Sequence, residues 1–217
     1  MNLIVIAKAP TSGASKTRLC PPCSPAQAAS LAEAALADTL EVVARAAIGV
    51  GGRPVLVLDG EPGVWLPREF DVVGQRGDGF DERLACAFDD VGAPAFLVGM
   101  DTPQITPGLI AGALGLMSGT AVDAVLGEAV DGGWWAIGLH EADERVFLGV
   151  QMSVASTCAE QRARMLALGL SVAELPVLRD VDVFEDAVAV AAQAPSTRFA
   201  AALDGLTLTG VEMRRGG

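Results

Sequence analysis

Short apolar runs alternate along this chain with longer stretches of helical composition. Runs of four apolar residues stand at 3–6, 55–58 and 95–98, and an Ala- and Leu-rich stretch lies between the first two. Ser24 and Pro25 open that stretch as an N-cap and a first helical residue, so a helix is expected from there to about Ala47. Buried parallel strands have continuous apolar runs, and the helices that alternate with them cover both faces of the sheet. The alternation therefore predicts an α/β fold, a three-layer α/β/α sandwich with a mostly parallel sheet.

The remaining elements continue the same alternation. Further strands are expected at 72–73, 124–126, 135–139 and near 171–175, and further helices at 82–90, 106–117, 156–168 and 184–193. No repeat, low-complexity segment or linker interrupts the pattern, and 217 residues suffice for one sizeable core. A single domain over residues 1–217 is expected.

Composition narrows the classes of partner. With 51% hydrophobic and 19% charged residues the chain is not a disordered one. A formal net charge of −12 would repel DNA or RNA, and 5% aromatic residues without tyrosine do not favour base stacking. No nucleic-acid partner is expected. A small phosphorylated ligand remains compatible, because a few local cations or a metal ion suffice to bind it.

The apolar stretches do not predict a membrane segment. The longest one, at 26–50, is interrupted by Glu33, Asp38, Glu41 and Arg45, whereas a spanning helix needs about 20 apolar residues in succession. The N-terminal residues lack the basic region of a signal peptide, so a cytoplasmic location is expected.

The segment after the first strand carries three cations. In sheets of this kind, ligands bind beyond the carboxyl ends of the strands. Residues 7–19 (AKAPTSGASKTRL) are not a P-loop, because that motif needs glycine where Pro10 and Ser15 stand. Small residues let the backbone approach a ligand, and Lys8, Lys16 and Arg18 could meet phosphate oxygens. A solvated basic loop is the alternative.

Carboxylates stand in two other positions of interest. Asp101 follows the fourth strand, where it could hold Mg²⁺ or cap the next turn. Asp180 and Asp182 alternate in an extended segment, so both would project from the same side and repel each other unless a cation lies between them. The alternative is a solvated helix start with Asp182 as the N-cap.

Two further motifs leave their role open. Residues 131–133 (DGG) predict a tight hairpin turn, although glycines could also let backbone pass close to a substrate. Cys20 and Cys23 form one CxxC pair, which would suit redox chemistry or half a zinc site, or have no function. His140 is the single histidine, so a Ser-His-Asp triad is not expected and the chemistry should use carboxylates, cations and metal.

Five segments of the chain resemble, in the same order, the motifs of one bacterial family. They are 6–10 (IAKAP), 16–19 (KTRL), 99–103 (GMDTP), 131–139 (DGGWWAIGL) and 180–186 (DVDVFED). Its members are uncharacterised GT-A-like glycosyltransferases, including those associated with radical-SAM and selenium-domain clusters. The plan is also similar to that of the phospholactate and phosphoenolpyruvate guanylyltransferases. The resemblance covers about 190 residues and implies a GT-A fold, that of nucleotide-diphospho-sugar transferases.

The resemblance also implies roles for residues. Those expected to bind the nucleotide donor are Ala7, Lys8, Gly13, Lys16, Arg18, Asp131, Gly132 and Gly133. Those expected to hold Mg²⁺ or Mn²⁺ are Asp101, Asp180 and Asp182. Asp101, Lys16 and Arg18 would act in catalysis. Departures lie at Met152, at Val183 and in residues 78–84, where the base or the acceptor would be recognised.

The expected function is that of a metal-dependent transferase with a nucleotide-activated donor and a small-molecule acceptor. Transfer of a sugar from a nucleotide-diphosphate sugar is preferred. The cationic first loop favours the alternative, nucleotidyl transfer from a triphosphate with release of pyrophosphate. A nucleotide-binding protein without catalytic activity is the second alternative. The oligomeric state, the base, the sugar and the acceptor are left open by the sequence.

Overall fold

The computed structural model describes residues 1–206, and one sheet runs through them. Its seven strands are β1 (Asn2–Lys8), β2 (Arg53–Asp59), β3 (Asp71–Gly74), β4 (Ala95–Gly99), β5 (Ala124–Ala129), β6 (Trp134–Leu139) and β7 (Val172–Leu178). Each lies where the apolar runs predict a strand. The order across the sheet is β3-β2-β1-β4-β6-β5-β7, and β6 alone among these strands runs antiparallel to its neighbours. The expected mostly parallel sheet is confirmed.

Within residues 1–206, six helices connect or follow the strands. They are α1 (Pro25–Val50), α2 (Phe80–Val91), α3 (Pro107–Met117), α4 (Thr157–Ala167), α5 (Phe184–Gln193) and α6 (Arg198–Asp204). α1 begins as predicted, with Ser24 accepting a hydrogen bond from the Gln27 amide. It continues three residues beyond Ala47, to Val50, and Gly51 ends it with a φ of 61°. α6 and the short 3₁₀ turns at Thr17–Leu19 and Glu144–Val146 are absent from the sequence prediction.

Alternate side chains of β1 enter two separate cores. Leu3, Val5 and Ala7 pack in the cluster that α1 and α3 cover, whereas Ile4 and Ile6 pack in the cluster beneath α2 and α4. Successive strand residues point to opposite faces, so a strand buried on both faces needs an unbroken apolar run. The three-layer sandwich is confirmed, and a third cluster joins α1 to α5 and α6.

One edge of this sheet gathers the segments of interest. β1 to β4 run in one direction, and β5 and β7 share it because β6 is antiparallel to both β4 and β5. The loop after β1, the segments after β4 and β7, and the turn from β5 to β6 therefore lie at the same edge. The sequence predicts ligand binding at this edge, because ligands of open α/β sheets bind beyond the carboxyl ends of the strands.

Candidate functional site

The loop after β1 places a lysine against the carboxylate that follows β4. Lys16 has a left-handed backbone conformation with φ 49°, and only 12% of its side chain is exposed. Its Nζ lies 2.7 Å from Asp101 Oδ1 and also donates to the carbonyl oxygen of Val181. Asp101 Oδ1 is buried, and within the described part of the chain its polar partner is the Lys16 ammonium, whose positive charge offsets that of the carboxylate.

Arg18 makes the second link between this loop and the acidic segment after β7. Its guanidinium contacts Asp182 Oδ2, and the arginine side chain is 71% exposed. Asp182 is not the N-cap of α5, which was one alternative for it. That cap is Val183, whose amide donates to the Asp186 carboxylate, because Asp186 reaches back from the first turn.

Three other residues in and after β1 are expected to bind the donor. Ala7 is buried in the core, and its carbonyl oxygen accepts a hydrogen bond from Gln75 Nε2 at 2.8 Å. Lys8 is exposed at the end of β1. Gly13 is exposed, has a φ of 81° and has open space around the position of a Cβ. Their roles toward a ligand stay predictions.

The predicted hairpin turn between β5 and β6 is present. The Gly132 amide donates to the Ala129 carbonyl at 3.0 Å, and the Gly133 amide donates to Asp131 Oδ1 at 2.8 Å. Gly132 has a φ of 88°, and a Cβ there would overlap the carbonyl of Ala155. Gly132 is therefore required by the turn and by the backbone packed on it, and the turn holds Asp131 at the edge of the sheet.

Asp180 is held between the segments after β4 and β5. The neighbouring Val181 amide donates to the Asp101 carbonyl at 2.8 Å, which ties the two acidic segments together. Burial, and then the negative charge of Asp131, raise the pKa of Asp180 to about 6, while Lys16 acts in the opposite direction. The charge of Asp101 raises this pKa further. The negative charges of Asp101, Asp131 and Asp180 thus act on one another, and the positive charge of Lys16 offsets only part of them.

The metal ligands expected from the sequence are not gathered as a set of three. Asp101 and Asp180 lie at the same cavity, whereas Asp182 is turned toward Arg18. Among residues 1–206, no three acidic, histidine or cysteine side chains are grouped closely enough to coordinate one ion. Metal binding by these residues stays a prediction.

A cavity of about 210 Å³ opens at this edge of the sheet. Of the residues predicted for the site, Asp101, Asp131, Gly133 and Asp180 line it. The cavity has ten further lining residues: Ile6, Phe80, Gly99, Thr102, Ala129, Trp134, Trp135, Met152, Ser153 and Thr157. Phe80 and Met152 fall at departures from the family motifs, where the base or the acceptor was expected to be recognised, and several others fall within the motif segments. Thr102, Ser153 and Thr157 are polar, and no role was expected for them.

The CxxC pair lies between the cationic loop and α1. Cys20 and Cys23 are free thiols, and Cys23 is buried in the third apolar cluster. Burial, and to a smaller extent the nearby Cys20, raise the pKa of the Cys23 thiol. A buried thiol with a raised pKa is a poor nucleophile, so Cys23 acts here as an apolar packing residue.

The comparisons with known proteins agree with the fold and the motifs. The pattern of a family described as "Uncharacterized protein conserved in bacteria (DUF2064)" matches residues 50–154, just under half of the chain. The resemblance to this bacterial family is confirmed over that range. No match was found among curated proteins.

Solved structures share the architecture. A protein from Desulfovibrio desulfuricans G20, provisionally assigned as a nucleotide-diphospho-sugar transferase, has a TM-score of 0.80 and 26% identity over 94% of each chain. Rv0371c from Mycobacterium tuberculosis H37Rv has a TM-score of 0.51 and 20% identity, over 88% of this chain and 98% of its own. The 2-C-methyl-D-erythritol 4-phosphate cytidylyltransferase of Thermus thermophilus has a TM-score of 0.50 and 14% identity, over 90% of this chain and 100% of its own.

The last two likenesses are likenesses of fold. All three show that this chain has the fold of nucleotide-diphospho-sugar transferases, and the first, at 26% identity over 94% of each chain, places it among enzymes of the transferase class. Within residues 1–206, no helix combines the length and the apolar character needed to cross a bilayer.

Proposed function

We propose that this protein is a metal-dependent transferase that moves a sugar from a nucleotide-diphosphate sugar to a small-molecule acceptor. The observation that carries the proposal is the cavity at the carboxyl edge of the sheet, where Asp101, Asp131 and Asp180 lie with Lys16 against Asp101. The Desulfovibrio protein, similar over nearly the whole chain, supports a nucleotide sugar as the donor.

The two loop cations would bind the phosphates of the donor. In the structure Lys16 and Arg18 form ion pairs with Asp101 and Asp182. A diphosphate offers both cations a stronger partner, because charge-assisted hydrogen bonds to phosphate oxygens are short and can be bidentate for arginine. Binding therefore exchanges ion pairs within the protein for ion pairs with the donor.

The carboxylate oxygens at the cavity are suitable ligands for a hard divalent cation. Carboxylate oxygens are the ligands that Mg²⁺ and Mn²⁺ prefer, and Mg²⁺ is commonly held by one or two carboxylates together with substrate phosphates. Asp101 and Asp180 would supply the protein ligands here, with Asp182 joining once Arg18 contacts the donor. Such an ion supplies positive charge that stabilises the leaving diphosphate.

Transfer on this scaffold needs no histidine base. Lys16 and Arg18 hold the diphosphate, and Asp131, the cavity carboxylate not assigned to the metal ion, orients hydroxyl groups of the sugar and the acceptor. Catalysis would then come from positioning and from charge stabilisation by groups that are already in place. The cavity of about 210 Å³ agrees with this, since it has room for one sugar ring and not for a whole nucleotide.

Nucleotidyl transfer is the second candidate. The observation that favours it is the pair of cations on the loop after β1, which would suit the tail of a triphosphate. Its chemistry differs in the leaving group, because pyrophosphate departs and the nucleotidyl group is joined to the acceptor.

The identity of the leaving group tests the proposal. Purified protein with Mg²⁺ is incubated with nucleotide sugars or nucleoside triphosphates, in each case with and without a panel of small hydroxylated acceptors. We expect release of a nucleoside diphosphate from a nucleotide sugar, and loss of that activity in Asp101→Asn. Release of pyrophosphate from a triphosphate, with no turnover of any nucleotide sugar, would establish the second candidate. Binding without turnover of either donor would point to a nucleotide-binding protein without catalytic activity.

A further inference from the structure

Two segments outside the acidic cluster form walls of the cavity. One is the start of α2, where Phe80 lines the cavity, and the other is the segment at 149–154, which contributes Met152 and Ser153. A direct bond joins them, since the Gly149 amide donates to Asp81 Oδ2 at 2.9 Å. The separation of the two walls is therefore set by a hydrogen bond between them.

Phe80 is an unusual residue to leave in water. It is 45% exposed, and the other large apolar side chains that are exposed in residues 1–206 are all aliphatic. An aromatic ring contributes a large apolar area and a flat face. At the wall of a polar cavity, that face is suited to a ring that a ligand brings in.

Ser153 is held in a conformation that costs free energy. Its φ is 61°, in the left-handed region that residues other than glycine rarely adopt. The segment around it is fixed by Thr157, whose hydroxyl contacts the carbonyls of Gln151 and Val154 at 2.9 and 2.8 Å. Arg164 holds the Leu148 carbonyl at 2.6 Å. Strain maintained by such surroundings is found mostly at functional sites.

The charges of the cavity select the kind of ring. Asp101, Asp131 and Asp180 line it, and Lys16 contacts one of them. A phosphate or a carboxylate would be repelled there unless a cation accompanied it, whereas hydroxyl groups can donate to the carboxylates. A ring with an apolar face and hydroxyl groups at its edge satisfies both Phe80 and the acidic end.

We propose that Phe80 and Ser153 form the recognition walls for an uncharged sugar ring, with Phe80 stacking on the ring and Ser153 contacting its hydroxyl edge. The inference rests on the proposed function, because it assigns the sugar of the donor to this cavity. It goes further by naming the residues that distinguish a nucleotide sugar from the nucleotide alone.

Matched ligand pairs test this assignment. The affinities of UDP-glucose and UDP, and of GDP-mannose and GDP, are measured by calorimetry with Mg²⁺ present. In Phe80→Ala we expect the affinity for the nucleotide sugar to fall about five- to tenfold, the size of a lost stacking contact, with the nucleoside diphosphate within about twofold of the native protein. Leu116→Ala, which shortens a similarly exposed side chain on α3, is the control and should alter neither affinity.

Ser153→Gly separates recognition from folding. Glycine adopts a positive φ without strain, so the unfolding temperature should stay the same or rise while the hydroxyl is lost. We expect weaker binding of the nucleotide sugar together with that unchanged or raised stability. Tryptophan fluorescence in a Trp65→Phe background gives a second measure of ligand binding at the cavity. The remaining tryptophans there, Trp134 and Trp135, both line the cavity.

The outcomes separate the two proposals. Equal losses for the nucleotide sugar and the nucleoside diphosphate in Phe80→Ala, or no loss in either wall variant, would overturn the assignment of the walls and leave the proposed function standing. If the native protein binds none of these nucleotides, the proposed function is overturned, and the assignment of the walls with it. A selective loss for the nucleotide sugar in both variants supports the assignment.

Discussion

Lys16 balances a site that otherwise holds an excess of negative charge. Three carboxylates line the cavity, and burial together with the neighbouring Asp131 raises the pKa of Asp180 to about 6. Like charges in a partly desolvated place favour the protonated acid and attract cations. The lysine from the loop after β1 offsets part of the negative charge that would attract a metal ion.

Arg18 allows the binding role of the loop to be tested without disturbing the fold. In Arg18→Ala we expect nucleotide affinity to fall about tenfold, and the free energy of unfolding to change by less than about 1 kcal/mol, because exposed ion pairs contribute little to stability. Calorimetric titration and thermal unfolding measure the two effects. The control is Arg53→Ala, which removes an exposed ion pair with Asp71 at the opposite edge of the sheet. Unchanged nucleotide affinity in Arg18→Ala would refute the phosphate role.

The raised pKa of Asp180 predicts that the free energy of unfolding depends on pH. Its pKa in the folded protein is about 6, above that of an unfolded aspartate. Between about pH 4 and pH 6 the native state binds more protons than the unfolded state, so this group makes the fold less stable as pH rises through that window. Asp180→Asn should therefore stabilise the protein at pH 7.5 by about 1 kcal/mol, a value reduced for its partial exposure, and much less at about pH 4.5.

The comparison is made by thermal unfolding of native and variant protein in the presence of a chelator. Asp182→Asn serves as the control, since Asp182 is paired with Arg18 and its loss should bring no gain at the higher pH. An Asp180→Asn effect that is the same at both pH values would contradict the assignment.

At the scale of elements, the turn from β5 to β6 brings Asp131 to the cavity. The turn also supports its neighbours, because the Cys158 amide donates to the Gly132 carbonyl at 2.8 Å, near the start of α4. Gly132 thus has a structural explanation, whereas Gly133 and the aspartate between β5 and Gly132 line the cavity.

Gly132→Ala should destabilise this turn strongly. The substitution forces a left-handed alanine and also overlaps the Ala155 carbonyl, so we expect a loss of more than about 2 kcal/mol. Gly13→Ala is the matched control, since Gly13 also has a positive φ but has free space for a Cβ, and about 1 kcal/mol is expected there. Denaturant unfolding measures both. Equal losses would show that the contact with Ala155 does not matter.

The elements that the sequence missed depend on distant partners. α6 has seven residues, and its first amides at Arg198 and Phe199 donate to the carboxylate of Asp38 in α1, at 3.0 and 2.8 Å. Thr197 is a local N-cap, since its hydroxyl accepts from the Ala200 amide, but capping by a buried aspartate in the middle of another helix cannot be recognised from neighbouring residues. The longer elements were predictable because their apolar runs and caps are local.

At the scale of the whole molecule, ligand binding should appear as added stability. A ligand that binds only the native state, at a concentration of about one hundred times its dissociation constant, stabilises that state by about 2.7 kcal/mol. For a chain of this size, this raises the unfolding temperature by roughly 5–10 °C. We expect this shift from a nucleotide sugar with Mg²⁺, and little from either alone. Differential scanning fluorimetry measures it, and Lys16→Met should reduce it. A shift that is the same with a chelator as with Mg²⁺ would contradict metal dependence.

The positions of the site residues could be predicted only in part. Asp101 and Asp180 are at the cavity as expected from their place after β4 and β7, because carboxyl ends of parallel strands meet at one edge. The partners of these side chains were not predictable. Arg18 faces Asp182 across 164 positions of sequence, a contact that arises only when the loop after β1 folds against the segment after β7.

The sequence by itself determined the three layers, the places of the seven strands and the edge at which a ligand should bind. These follow from apolar runs, caps and turns, which act between neighbours in the chain. Only the tertiary structure decided which carboxylates share the cavity, that Lys16 balances them, and that Phe80 and Ser153 form its walls. Those relations join segments far apart in the chain, and they depend on ångström-scale packing and on charges whose effect is set by burial.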